Sequence, residues 1–332
     1  MSEEGQFWRG KKVFVTGGTG LIGSYLVKGL VDKGAEVFCL TQELPKGCIF
    51  YEFELEKKTT SIFGSVNDKI LIETSLEKYD INTVFHLAAQ PLVQIALKKP
   101  YGTIYTNVIG TLNILEACRN NEGIKRIVIA SSDKAYGSHD NLPYDESFAL
   151  KGDYPYDVSK SCADLIAQSY GKTYGMPIGV TRFSNVYGGG DLNFDRIVPE
   201  TIKHLILNEP ILIRSDGQFS REFFYVKDAA RAYIKLAEKI EELGIKGEGF
   251  NFGTDKSVKM LDLVDKIKRV SGKENTKIKI LNIVKAEIKE QFLSSEKARK
   301  VLHWKPEYDL ERGLKETYAW YERYFENEKY EK

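Results

Sequence analysis

Tyr156 and Lys160 stand four residues apart in YPYDVSKSCADLIAQSYGKTYG, which puts both side chains on one face of a helix. A nearby ammonium favours the phenolate and draws a tyrosine pKa from about 10 towards neutrality. Tyr156 is therefore expected to serve as a general base on a sugar or alcohol hydroxyl. The same spacing is common on ordinary surface helices, so the pair gains meaning only from its surroundings. Upstream, Ser132, Asp133 and Lys134 follow RIVIA, an apolar run ending at Ala130 that reads as a buried strand. A carboxylate and an amine at a strand's carboxyl end can act as an acid and a base; they are also what a plain loop exit looks like.

Those groups need a framework and a redox partner, and the N-terminal run provides for both. Gly17, Gly20 and Gly23, in KKVFVTGGTGLIGSYLVKGL, follow a short apolar strand, Lys12 to Thr16, and open a helix in which Leu21, Leu26 and Leu30 recur. Gly17 can take the positive φ of a tight turn, Gly20 leaves no Cβ between backbone and phosphate, and Gly23 lets the helix pack close to the strand. The helix N-terminus then offers unpaired N–H groups to a dinucleotide pyrophosphate. NAD or NADP is the expected ligand.

Further strands are expected at Glu36 to Leu40, Thr60 to Phe63, Thr83 to Leu87, Arg126 to Ala130 and Ile178 to Arg182, alternating with helices. That alternation predicts an α/β fold with a doubly wound, Rossmann-type parallel sheet, whose ligands sit at the carboxyl ends of the strands. Gln42 to Lys58 fits poorly and reads as a short helix or loop. From about Asn185 the pattern becomes mixed and ends in helices near Met260 to Ser271, Ser294 to Leu302 and Leu310 to Phe325. The division expected is a dinucleotide-binding domain over 1–184, with some return from about 225–252, and a smaller mixed α/β cap domain over 185–332.

In 332 residues, 48 basic and 47 acidic side chains leave a net charge of +1, which gives no reason to expect nucleic acid or a membrane as partner. A small molecule is the expected partner. Cys39, Cys48, Cys118 and Cys162 lack metal-like spacing. With only four histidines and no cluster, no metal is expected, and His86 reads as a structural histidine. The start MSEEGQFWRG is unlike a secretory signal and no apolar run approaches a membrane span, so a cytoplasmic protein is expected.

The glycine turn, HLAAQ from His86, Thr106-Asn107, SSDKAYG from Ser131, Tyr156 with Lys160, and RFSNVYGGG from Arg182 together resemble the extended short-chain dehydrogenase/reductase family of nucleotide-sugar enzymes. The resemblance runs from about Trp8 to Phe325. Within the family the chain is most similar to the sugar 4,6-dehydratases, especially those acting on CDP-glucose, through WRGKKVFVTG, HLAAQPLV, SDK at 132–134, GGGD with DRIVPE, and KARKVLHWKPEYDLERGLKETYAWY. It implies a catalytic set of Ser132, Asp133, Lys134, Tyr156 and Lys160. It implies cofactor contacts at Gly17, Gly20, Leu21, Ile22, Gly23, Thr41, Ser65, Val66, Leu87, Ala88, Ala89 and Asn107, the last also supporting the catalytic helix. Substrate contacts would fall at Gln90, Asn185, Arg196 and Arg221, where a guanidinium suits a diphosphate. The helices over Tyr101 to Cys118 and Tyr156 to Tyr174 would form a homodimer interface.

The chain departs from the family at two places. Thr41 and Gln42 stand where an NAD enzyme usually offers an acid to the adenosine ribose, and no arginine replaces them for a 2′-phosphate. NAD is still expected over NADP. Ser65 stands where many relatives carry an aspartate. The leading expectation is a nucleotide-sugar 4,6-dehydratase that retains its cofactor; a 4-epimerase or reductase would use Tyr156 and Lys160 without the elimination pair, and an idle dinucleotide-binding sensor would need none of them.

Overall fold

Short runs rich in apolar and β-branched residues favour strands, and six such runs fall in the first 183 residues. In the computed structural model, which describes residues 6–44, 47–283 and 288–330, they form β1 (Lys12–Thr16), β2 (Glu36–Thr41), β3 (Thr60–Phe63), β4 (Thr83–His86), β5 (Arg126–Ala130) and β6 (Ile178–Phe183). A seventh strand, β7 (Glu248–Phe252), joins beyond β6, and the order is β7-β6-β5-β4-β1-β2-β3 with every neighbouring pair parallel. Helices cover both faces, so this is the doubly wound sheet expected from the alternation. The order reverses between β1 and β4, which opens a crevice at the carboxyl ends of those two strands.

Each face has its own core. Val13, Val15, Leu30, Phe85, Tyr233 and Phe250 lie on one side; Phe14, Ile72, Val84, Ile114, Ile127 and Val180 lie on the other. Adjacent residues of β1 thus point to opposite cores, as the period of a strand requires. The helix Val226–Lys239 packs on Leu21–Asp32, close enough that a Cβ on Gly29 would approach Ile234 Cδ1 to 2.9 Å.

The poorly fitting stretch after β2 holds a single helical turn, Ile49–Glu52, and a tighter one, Leu55–Lys57; residues 45–46 lie outside the described ones. Its apolar residues are structural: Ile49, Phe50 and Leu55 are buried, and Trp320 Nε1 donates to Glu52 Oε2 at 2.6 Å. A third core, including Tyr187, Val198, Ile202, Leu263, Leu314 and Tyr321, is built mostly from segments after residue 185, with Ile49 joining it from the stretch after β2. Short ladders accompany it: Asn185–Tyr187 with Phe223–Tyr225, and Ser220–Arg221 flanked by Val258–Lys259 and Glu290–Gln291. The last helix runs to Tyr330, beyond the expected Phe325.

Candidate active site

A cleft of about 1100 Å³ crosses the carboxyl edge of the sheet, from the ends of β2 and β3 to those of β5 and β6. Gly17, Gly20, Leu21, Ile22 and Gly23 line it with Thr41, Ser65, Val66, Leu87, Ala88 and Ala89. Ser132, Asp133, Lys134, Tyr156 and Lys160 line it too, as do Asn185, Arg196 and Arg221. Two expected residues do not. Gln90 spends its amide on its own loop: Oε1 accepts from Leu92 N at 2.5 Å, and Nε2 donates to Leu92 O at 3.1 Å and Thr103 Oγ1 at 2.8 Å. Asn107 stands behind the wall, within a widened π-helical stretch, Tyr105–Ile109. Its Oδ1 accepts from Gln90 N at 2.7 Å and its Nδ2 donates to Gln90 O at 3.1 Å and Ser159 Oγ at 2.9 Å, so it braces the loop after β4 against the helix of Tyr156.

The glycine turn has the shape a pyrophosphate requires. Gly17 has φ +71°, and a Cβ there would come within 2.7 Å of Ala88 N. At Gly20, the residue capping the helix Leu21–Asp32, a Cβ would meet nothing closer than Gly17 O at 3.4 Å, and no side chain caps the free N–H groups. The backbone is thereby left open to the cleft, as an anion site needs. Gly23 answers a different demand from the one expected: its Cβ would collide with Gly17 O and come within 2.8 Å of Gly18 Cα, so the turn itself excludes it. These features fit a dinucleotide.

At the end of β2, the Thr41 hydroxyl is committed to Glu43 O at 2.5 Å, while Gln42 and Glu43 border the cleft. The acid missing from the usual position thus recurs two residues later, and the sequence reading passed over it. Buried His86 is held between Thr16 Oγ1 at 2.7 Å and Thr111 Oγ1 at 3.0 Å, and burial drives its pKa down to about 3. It is a neutral structural histidine, as expected.

The helix Pro155–Tyr174 carries Tyr156 and Lys160 into the cleft from its first turns. Here the expectation of a lowered tyrosine pKa is overturned. Burial first, then the Asp133 carboxylate, push the phenol up to about 12, against opposing pulls from Arg196 and the Ser132 hydroxyl. Lys160 donates to Ala130 O at 3.0 Å, and its own pKa falls to about 8 by burial, partly offset by Asp164. Desolvation outweighs attraction between neighbours at this depth.

Ser132, Asp133 and Lys134 sit where β5 gives way to a tight turn, Asp133–Tyr136, with Ser132 as its cap. Ser132 Oγ donates to Asp133 Oδ1 at 3.0 Å; Asp133 Oδ2 is buried without a hydrogen-bond partner, 3.6 Å from Lys134 Nζ. Beside them, burial raises Asp157 to about 6, with Lys134 opposing and Asp133 and Asp153 adding to the rise. Arg196 Nη1 donates to Asp191 Oδ2 at 3.0 Å, Arg221 Nη1 to Ser220 O at 2.8 Å, and Asn185 Nδ2 to Glu222 O at 3.0 Å. Two more buried side chains escaped the sequence reading, Glu222 and Gln291. No spacing rule connects Gln291 to the loop after β5, where it bonds to Asp133 and Lys134; Glu222 lies next along the chain from Arg221, which pairs with Gln291.

With a dinucleotide turn and a Tyr–Lys pair in one cleft, comparison with known proteins becomes decisive. The family model described as GDP-mannose 4,6 dehydratase matches residues 14–317. The chain belongs to that family. It is 31% identical to CDP-glucose 4,6-dehydratase of Salmonella typhimurium, over 97% of this chain and 93% of that one. Its fold is similar to UDP-glucose 4-epimerase of Thermotoga maritima, solved with UDP-glucose (TM-score 0.86, 28% identity, 95% and 99% of the two chains). It is similar also to dTDP-glucose 4,6-dehydratase of Bacillus anthracis, solved with NAD (TM-score 0.83, 27% identity, 94% and 97%). This is an enzyme of the nucleotide-sugar 4,6-dehydratase and epimerase class. Among the described residues, no helix is long and apolar enough to cross a membrane.

Proposed function

We propose that the protein is a nucleotide-sugar 4,6-dehydratase that converts CDP-glucose, or a related nucleotide hexose, to the 4-keto-6-deoxy sugar. The observation that carries this reading is buried Asp133 with partly buried Lys134 next to it, both beside Tyr156, and with one Asp133 oxygen that accepts no hydrogen bond. A buried carboxylate oxygen that accepts no hydrogen bond is costly. An epimerase acting through Ser132, Tyr156 and Lys160 alone would leave that cost unexplained.

NAD is the resident cofactor, held by the turn from Gly17 to Gly23, by Thr41, Ser65 and Val66, and by Leu87 to Ala89. Glu43 and the lack of an arginine beside it favour NAD over NADP. When bound, NAD supplies a hydride acceptor, a positive ring charge and, later, the same hydride back to the sugar. Only the phenolate of Tyr156 can take the proton of the 4-hydroxyl, and a nearby positive charge would favour that form in a group at about 12. Ser132 holds that oxygen as it becomes a carbonyl, a small electrostatic assistance, and Lys160 holds the nicotinamide ribose. The C4 ketone acidifies C5–H; Lys134 receives that proton or, as an ammonium, steadies the enolate, while Asp133 gives its proton to the departing 6-hydroxyl and water leaves. Hydride addition at C6 and proton return to C5 give the product with no net consumption of NAD, and the proton gained by Tyr156 replaces the one that Asp133 gave up.

Asn185, Arg196 and Arg221 face the substrate diphosphate and sugar. In this reading residues 1–184 with 225–252 hold the cofactor and residues 185–332 supply the cap. The enzyme works in the cytoplasm, where NAD is at hand; the four described cysteines are free thiols, compatible with a reducing compartment. It is a homodimer joined through the helices near Tyr101–Cys118 and Tyr156–Tyr174, which leave Tyr101, Ile104 and Leu165 exposed.

The test is incubation of purified protein with CDP-glucose and a panel of nucleotide hexoses. A 4-keto-6-deoxy product without stoichiometric NADH is expected, and Asp133→Asn should slow water loss about 10²-fold while sparing C4 oxidation. Formation of the C4 epimer alone would reject the dehydratase reading, and equal loss of both steps would reject Asp133 as the acid.

A further inference from the structure

An acid and a base set side by side tend to neutralise each other: a directly hydrogen-bonded ammonium and carboxylate lie at about 2.7–2.9 Å and lose their separate functions. Lys134 Nζ and Asp133 Oδ2 are instead 3.6 Å apart, and that oxygen accepts no hydrogen bond. The ammonium is engaged elsewhere. Lys134 Nζ donates to Gln291 Oε1, and the other end of the same amide donates from Nε2 to the main-chain carbonyl of Asp133 at 3.2 Å. Gln291 is fully buried and comes from a strand 157 residues further along the chain.

We infer that Gln291 is a positioning residue for the elimination step: by taking one N–H of Lys134 and clamping the Asp133 carbonyl, it keeps the amine off the carboxylate, so that both remain available to the sugar. A neutral amide suits this task. It accepts the N–H without adding a charge that would fix the proton on lysine. Its strand, Glu290–Gln291, pairs with Ser220–Arg221 in a register that sets Gln291 opposite Arg221, and Gln291 O accepts from Glu222 N at 3.3 Å. Arg221 borders the cleft. One ladder therefore carries both a diphosphate-facing arginine and the residue that places Lys134, which ties the position of the base to the strand that would grip the substrate.

This inference rests on the dehydratase reading, and the experiment separates the two. Wild type, Gln291→Leu and Gln291→Glu are each given CDP-glucose and its 6-deoxy analogue, which can be oxidised at C4 but has no hydroxyl to lose. Gln291→Leu should lower the elimination rate about 30-fold while C4 oxidation of the analogue, read as reduced nicotinamide, changes less than about threefold. Gln291→Glu keeps the size of the side chain and adds a negative charge that favours the ammonium, so the limb of the pH–rate profile set by Lys134 should move to higher pH. If the wild type forms no 4-keto-6-deoxy product from any nucleotide hexose, the functional reading fails. If the wild type eliminates water and Gln291→Leu keeps the same ratio of elimination to oxidation, the positioning role alone is overturned. Should Gln291→Leu not fold, Gln291→Glu decides: an unmoved limb overturns the inference.

Discussion

The two ends of the cleft are held by different forces. At the nucleotide end the wall is backbone and small side chains, fixed by contacts that leave no room for a Cβ at Gly17 or Gly23. At the sugar end the wall is made of ionisable groups, buried Asp133, Lys160 and Asp157 and partly buried Tyr156, where desolvation and neighbouring charges govern proton affinity. The first kind of site is built by packing and tolerates almost no change of shape. The second depends on which proton sits where, so changes that conserve shape should damage it most.

Tyr156→Phe gives the largest separation of the two ends. It removes one oxygen and leaves the ring, so turnover should fall about 10³-fold, the scale of a lost general base. The nucleotide end should be untouched, and NAD released by denaturing the purified variant should match the wild type in mole ratio. Loss of NAD together with activity would mean that the ends are not independent.

A second comparison lies within the nucleotide end. Gly23→Ala forces a Cβ against Gly17 O inside a turn that has no slack, whereas at Gly20 the nearest atom would be 3.4 Å away. Gly23→Ala should cost about 1–3 kcal/mol of stability, the range for overpacking, and abolish NAD retention. Gly20→Ala should leave the thermal midpoint within a degree or two and weaken NAD alone, since its Cβ would point at the bound anion. Thermal unfolding with and without added NAD checks both, and equal destabilisation by the two variants would show that the turn is more pliable than its contacts suggest.

The same contrast explains what could be read from the chain before folding. The parallel sheet and the glycine turn were legible because both are local: apolar runs of strand length, and three glycines at the start of one helix. Tyr156 with Lys160 was legible as a spacing, but its electrostatics were not. Four residues on a helix suggested a lowered tyrosine pKa, and only the depth of burial and the approach of Asp133 show that the push is upward. Gln90 was expected as a substrate contact from the family resemblance alone, yet Leu92 and Thr103 satisfy its amide. Gln291 and Glu222 carry no local signature at all, for their meaning comes from short ladders between strands far apart in the chain, such as Ser220–Arg221 with Glu290–Gln291.

Glu222 offers the smallest and most discriminating test of the charged region, because it is buried yet one strand position removed from the cleft-lining Arg221. Its Oε1 accepts from Thr254 N and from Asp255 N at 2.9 Å, and its Oε2 accepts from Leu293 N at 3.0 Å. Burial nonetheless lifts its pKa from 4.5 to about 7, with those hydrogen bonds opposing. A carboxyl whose folded pKa is raised binds its proton more tightly in the folded chain, so its contribution to stability is full below about pH 4.5 and is lost as pH rises through about 7. The stability of the wild type relative to Glu222→Gln should therefore decline between about pH 5 and about pH 8, by no more than about 1.4 kcal/mol per pH unit. Paired thermal unfolding of the two proteins across that range measures it. A constant difference would mean that Glu222 stays ionised in the fold, with its backbone donors, rather than burial, setting its proton affinity.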